Sequence, residues 1–245
     1  MMEMKVLTIN IWRYFDWDKR KKPLVSFLKK QNSDIVFLQE AAYDDRLKKK
    51  YQNQVHELNQ SLGYKYFIFA KESEMKKWHK KPIDWVMYYG LGILSKFKIK
   101  SSEMVILPHI SKDKDFGFLY AVIETPKGDI DIINVHLENS DEGSRAHLKF
   151  LLNWCKKRKI NPIIVGDFNM KQTKVLLSLT EKDFSISYKI KPYFSFMPTE
   201  FSNNKEPITL DYIIADKQKF EIKNIECIQD SPSDHNPVLA KIRIK

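Results

Sequence analysis

The chain has 245 residues, 43% hydrophobic and 13% aromatic, enough to fill a sizeable core and too many for a disordered polymer. Its 42 Lys and Arg against 31 Asp and Glu give a net charge of +11 and a pI near 9.4, a field that attracts polyanions, although lysines spread over solvated faces give the same total. No apolar run approaches the roughly 18 residues of a membrane span, no signal pattern precedes the first strand, and Cys155 and Cys227, with no neighbouring thiol for a metal site, read as buried thiols in the reducing cytoplasm; a monomer is expected.

Short β-rich runs between turn residues predict strands in "KVLTINIW", "DIVFLQE", "YKYFIFA", "GLGILS", "EMVILP", "FLYAVIE", "DIDIINVHLE", "PIIVGDF", "LDYIIA", "IKNIECI" and "PVLAKIRI". Three apolar stripes at helical spacing fall between them. Leu24, Val25, Phe27 and Leu28 follow Pro23, which suits a first turn. Leu47, Tyr51, Val55, Leu58 and Leu62 form the second stripe, closed by Gly63, and Leu148, Leu151, Leu152 and Cys155 the third, followed by the basic run "KKRK". No Pro/Gly/Ser-rich linker divides the chain, so residues 1–245 are expected to form one domain of mixed or antiparallel sheets covered by helices.

Five strand ends carry oxygen or imidazole groups: Asn10, Glu40, His136, Asp167 with Asn169, and Asp234 with His235 in "SDHNP". In "PIIVGDFN" an extended chain puts Asp167 and Asn169 on one face and Phe168 on the other, although Asp and Asn also simply open turns. Pro232, Asn236 and Pro237 mark a loop that can aim Asp234 and His235 inward, with Asp211 of "TLDYIIAD" a candidate to orient the imidazole. Loops and strand ends on a rigid scaffold are where active sites are built. Such a set suits metal-assisted attack on a phosphoester, because Mg²⁺ or Mn²⁺ prefers oxygen donors, and Glu40 is the foremost ligand candidate.

The ordered series "TIN", "FLQE", "GLGILS", "INVHLEN", "VGDFN", "LDYII" and "SDHNPV" resembles the endonuclease/exonuclease/phosphatase superfamily from Lys5 to Ile244. The resemblance implies a DNase I-like α/β fold, a four-layered α/β sandwich of two mixed, mainly antiparallel β-sheets flanked by helices, with Mg²⁺ or Mn²⁺ at one end. It implies that Asn10 and Glu40 belong to the metal site with Asp234 near it, and that Asp167 activates or positions water with the help of Asn169. His136 and His235 would hold the phosphoryl oxygens, with Asp211 paired to His235. His136 is similar to the His of deoxyribonuclease I, deadenylases, inositol phosphatases, sphingomyelinases and tyrosyl-DNA phosphodiesterases, whereas exonuclease III-like enzymes usually carry Tyr there. "HLEN" followed by "EGSRAHLKFLL" most resembles the tyrosyl-DNA phosphodiesterases, yet Thr209 or Leu210 stands where that group has a basic residue and Asn236 where it has a bulky one, so the branch stays open.

The expected activity is therefore a Mg²⁺-dependent phosphodiesterase acting on nucleic acid, with a small or lipid phosphoester as the alternative substrate. Lys71 to Tyr89 carries the densest mixture of lysine and aromatics: Lys76, Lys77, Lys80 and Lys81 are candidates to track phosphates and Trp78 to stack on a base, unless the segment is a solvated loop with Trp85 and Tyr88 in the core.

Overall fold

A computed structural model describes residues 2–47, 53–78, 81–110, 115–200 and 205–245. The elements in chain order are β1 (Met2–Asn10), α1 (Trp17–Gln31), β2 (Ile35–Asp44), α2 (Gln54–Leu62), β3 (Tyr66–Glu74), β4 (Lys77–Trp78), β5 (Lys81–Pro82), β6 (Met87–Ser95), β7 (Lys98–Ile106) and β8 (Gly117–Thr125). They continue with β9 (Gly128–His136), α3 (Asp141–Arg158), β10 (Ile163–Asp167), α4 (Thr173–Thr180), β11 (Phe184–Ile186), α5 (Ser187–Ile190), β12 (Asp211–Asp216), β13 (Phe220–Cys227) and β14 (Val238–Ile244).

The longer strands form two six-stranded sheets, ordered β13-β14-β1-β2-β6-β3 and β11-β12-β10-β9-β8-β7. Both are mixed: β1 runs parallel to β2 and β9 parallel to β10, and the other pairings are antiparallel. Their facing sides meet in one apolar cluster that includes Phe37, Ile93, Ile132, Val165 and Ile213. A second cluster seats α3 and α4 on the outer face of the β9-β10 sheet through Leu148, Leu151 and Leu176, and a third seats α1 and α2 on the other sheet through Leu24, Leu28, Val55 and Leu58. Four layers result, as the resemblance implied.

Two helix starts differ from expectation. Pro23 lies inside α1, which begins six residues earlier at Trp17. The earlier turn is anchored by burial of Trp17, whose indole Nε1 donates to Glu57 Oε2 on α2 at 2.8 Å, and that tertiary contact outweighs the one backbone donor that proline removes. Leu47 belongs to a short 3-10 turn rather than to α2, which opens at Asn53, whose Oδ1 accepts from His56 N at 2.9 Å; Tyr51 lies outside the described residues. Gly63 closes α2 with φ 74, as its position suggested. Among the described residues no helix is long and apolar enough to cross a membrane.

Candidate active site

The strand ends are brought together at one end of the two sheets. On three adjacent strands His136, Asp167 and Asp211 stand side by side, because β10 pairs in register with β9 at His136 and with β12 at Asp211. Asn10 reaches the same place from the facing sheet, donating from Nδ2 to Asp167 Oδ2 at 3.1 Å. Glu40 arrives by a different device: the β2–β6 register shifts between Leu38 and Ala41, and Glu40 takes φ 52. A bulge of this kind re-aims a side chain that regular pleating would place elsewhere. Glu40 Oε2 accepts from Arg13 Nε at 2.8 Å, and Oε1 lies 3.9 Å from His136 Nε2.

Both imidazoles are buried against carboxylates. His136 Nδ1 lies 2.8 Å from Glu72 Oε2, while Glu72 Oε1 accepts from Gly117 N at 2.9 Å. His235 Nδ1 lies 2.8 Å from Asp211 Oδ2, and its Nε2 lies 3.9 Å from Asp167 Oδ2. Burial alone would push both imidazoles toward neutrality, but the charge and hydrogen bond of Glu72 outweigh it at His136, raising its pKa to about 9. Asp211 does the same at His235, which is raised well above the ordinary histidine range. Asp167 is raised to about 6, first by burial and then by the charge of Asp211, with His235, His136 and Asn10 pulling the other way. Burial also raises Asp234, partly offset by His235.

Asn10, Glu40, His136, Asp167, Asn169, Asp234 and His235 all line one open cleft of about 310 Å³, with Asp211 behind His235. The backbone at Asn169 is left-handed, φ 49, rather than extended: Asp167 Oδ1 accepts from Asn169 N at 2.9 Å, and Asn169 Nδ2 donates to Leu137 O at 2.9 Å. The polar turn and the cleft-facing acid and amide are thus one structure, while Phe168 is fully buried. Of the expected substrate arm, Lys77 and Trp78 form β4 and Lys81 opens β5, a two-residue hairpin beyond the ends of β3 and β6. Lys76 is paired with Glu74 at 2.5 Å, Lys80 and the Trp78 side chain lie outside what is described, and none of Lys76, Lys77 or Lys81 lines the cleft.

The structure adds groups that sequence reasoning missed. Arg13 and Trp12 line the cleft beside Asn10, on a segment pinned by Arg20, whose guanidinium donates to the carbonyls of Ile11, Trp12, Arg13, Phe15 and Pro232 at 2.6–3.1 Å. Burial lowers the Arg20 pKa to about 10, with Asp234 opposing. Tyr89, Phe116, Asn139 and Lys171 complete much of the wall. The signal for Arg13 was its place three residues after Asn10; Glu72 had none, since "KESE" reads as surface. At the two departures from the tyrosyl-DNA phosphodiesterase pattern, Leu210 lines the cleft, whereas Thr209 donates to Tyr193 O and Asn236 Nδ2 donates to Gln229 Oε1 at 3.0 Å.

The donor set fits a hard divalent cation. Asn10, Glu40 and Asp234 line the cleft with oxygen donors and no thiol, and beside them is a second group, Asp167, Asp211 and His235, whose ligand atoms lie within 4.8 Å of one another. Asp211 Oδ1 is buried without a hydrogen-bond partner among the described residues, and the raised pKa values of Asp167 and Asp234 mark carboxylates that nearby positive charge would relieve.

A profile of the Endonuclease/Exonuclease/phosphatase family matches residues 7–235. The chain belongs to this family. Members of the endonuclease/exonuclease/phosphatase family are metal-dependent phosphoesterases, so the protein is classed among phosphoester hydrolases. No curated protein matches it in sequence. Among solved structures it is similar to an endonuclease/exonuclease/phosphatase from Beutenbergia cavernae DSM 12333, with a TM-score of 0.78 and 17% identity over 100% of this chain and 72% of that one. It is also similar to the human Nocturnin catalytic domain with bound sulfate (TM-score 0.72, 20% identity, 99% and 95% covered) and to D. rerio TDP2 complexed with single-strand DNA product (0.69, 17%, 99% and 100%). At these identities the likeness establishes the fold.

Proposed function

We propose that the protein is a divalent-metal-dependent phosphodiesterase that cleaves nucleic acid by in-line attack of an activated water. The observation that carries this reading is the pair of buried acid–imidazole couples, Glu72–His136 and Asp211–His235, that meet at Asp167. Two imidazoles held protonated offer fixed positive charge and N–H donors to phosphoryl oxygens, where charge grows in the transition state. Asp167, raised to about 6, is poised near neutrality to orient the attacking water and take its proton, with Asn169 beside it. Glu40, Asn10 and Asp234 would hold Mg²⁺ or Mn²⁺, which when bound neutralises charge on the phosphoester.

Nucleic acid is favoured by the net charge of +11 and by Lys171, a cleft residue with no ion pair or hydrogen bond among the described residues. The single-strand DNA product in the similarly folded TDP2 complex agrees with that choice. One observation favours a small or lipid phosphoester instead: Phe194 and Met197, 56% and 38% exposed, flank Phe196, which lines the cleft.

A panel of single-stranded DNA, duplex DNA, RNA, 5′-tyrosyl DNA and inositol phosphates, assayed with Mg²⁺, tests the reading. The wild-type protein is expected to hydrolyse at least one nucleic acid. Asp167→Asn and His235→Ala should each lower kcat by about 10²-fold or more. Glu40→Gln should raise the Mg²⁺ needed for turnover while the protein stays folded. Hydrolysis confined to inositol phosphates would replace the first reading with the second.

A further inference from the structure

The bulge that turns Glu40 into the cleft is clamped from the opposite sheet. Asn134, on β9 and fully buried, donates from Nδ2 to Leu38 O at 3.0 Å and to Gly92 O at 2.9 Å, the carbonyls of the last β2–β6 pair before the register shift. Carbonyls only accept, so they fix the amide with its nitrogen toward the bulge and its oxygen away. Asn134 Oδ1 then accepts from Gln39 Nε2 at 2.6 Å, and the Gln39 amide contacts Thr8 Oγ1 at 3.0 and 3.1 Å through its nitrogen and oxygen. Each group dictates the orientation of the next. Thr8, Gln39 and Asn134 are all fully buried, where a half-satisfied polar network would cost more than an apolar one.

The placement of these residues is not that of a generic staple between sheets. Thr8 precedes Asn10 by two residues on β1, Gln39 directly precedes Glu40, and Asn134 precedes His136 by two on β9, so each sits one step beneath a group in the cleft. Gly166, directly before Asp167, also borders the network: a Cβ there would lie 3.1 Å from Asn134 Oδ1.

We infer that Asn134 and Gln39 are positioning residues for Glu40, a buried amide relay that holds the β2 bulge open and fixes the direction of its carboxylate. The claim rests on the reading of Glu40 as a cation ligand, and its test separates the two. In Asn134→Leu, which keeps the number and branching of the side-chain heavy atoms and removes both N–H donors, Mn²⁺ half-saturation followed by electron paramagnetic resonance should weaken at least about tenfold, the scale of lost outer-sphere support. A crystal structure of that variant should show Glu40 out of the left-handed region and parted from Arg13. Leu148→Ala, a cavity in the α3 contact, should lose stability with Mn²⁺ binding unchanged. Unchanged Mn²⁺ binding together with unmoved Glu40 in Asn134→Leu overturns the proposal. If Asn134→Leu does not fold, Gln39→Met decides by the same two readouts, with a smaller shift expected and no shift contradicting. If the unaltered protein binds no Mn²⁺, the cation reading fails, and the crystal structure alone decides the relay: a moved Glu40 supports it and an unmoved one refutes it.

Discussion

The raised pKa of His136 owes most to Glu72, with Asp167 and Glu40 adding to it. Glu72 is buried by strands far away in sequence: it meets Gly117 N across 45 residues and His136 across 64. Nothing local marks it. Glu72→Gln keeps the shape and removes the charge, so His136 loses its hold on the proton. The neutral imidazole that results offers less positive charge to a phosphoryl oxygen, so a fall in kcat and a shifted pH–rate profile are the expected result. An unchanged pH–rate profile would show that Glu72 does not set the His136 charge. At the two thiols the expectation of burial holds for Cys155, whereas Cys227 is half-buried, with its Sγ 3.3 Å from Phe194 O. Burial raises both Cys155 and Cys227 to about 12, so neither should react appreciably with iodoacetamide at pH 8 in the folded protein, and both should react in urea. Fast labelling of native protein would contradict this.

Strand ends were legible because an apolar run that stops on Asp, His or Asn is a local pattern. The β2 bulge was not, since its cause lies on other strands, and α4 and α5 went unpredicted because "TKVLLSLT" and "SYKI" are too short for a full apolar stripe. Pro23 misplaced the start of α1 for a similar reason: the anchor is a tertiary bond to α2. Element packing gives a sharp test at Gly166. Its φ is 137, and a Cβ there would lie 2.2 Å from Val135 O on the parallel neighbour β9. Gly166→Ala must strain the backbone and force β10 from β9 just before Asp167, at a cost of about 3 kcal/mol or more. Urea unfolding of the variant measures this. A shift within error of wild type would mean that β9 and β10 are less tightly coupled than the register implies.

Across the whole molecule, the net charge of +11 is partly spent on internal pairs, and the β4–β5 hairpin shows how. Lys71 and Lys76 both pair with Glu74, at 2.6 and 2.5 Å, so the lysine-rich segment presents less free charge than its sequence suggests. Trp85 is covered by Arg46 at 4.0 Å, and Tyr88 stacks on Tyr43 with centroids 4.6 Å apart. Trp85 and Tyr88 are thus half-buried at the base of the segment rather than in the core, and residues 79–80 between β4 and β5 lie outside the described residues. If the segment contacts single-stranded substrate, replacing Lys76, Lys77, Lys80 and Lys81 with Ala should weaken DNA binding and lower the salt slope by about 0.7 for each lost phosphate contact. Lys76 should contribute least. An unchanged slope would remove the hairpin from the substrate path.

On the proposed function, the cleft is a cation-dependent phosphodiesterase site built around Asp167 and the two buried imidazoles. The most direct test is the rate of cleavage of a single-stranded oligonucleotide by protein stripped with EDTA and then titrated with Mg²⁺, for wild type and for His235→Ala. No turnover in EDTA is expected, with saturable recovery with Mg²⁺ in the wild type and a maximum about 10²-fold lower in His235→Ala. Cleavage that persists in EDTA, or that is equal in the two proteins at saturating Mg²⁺, would contradict it.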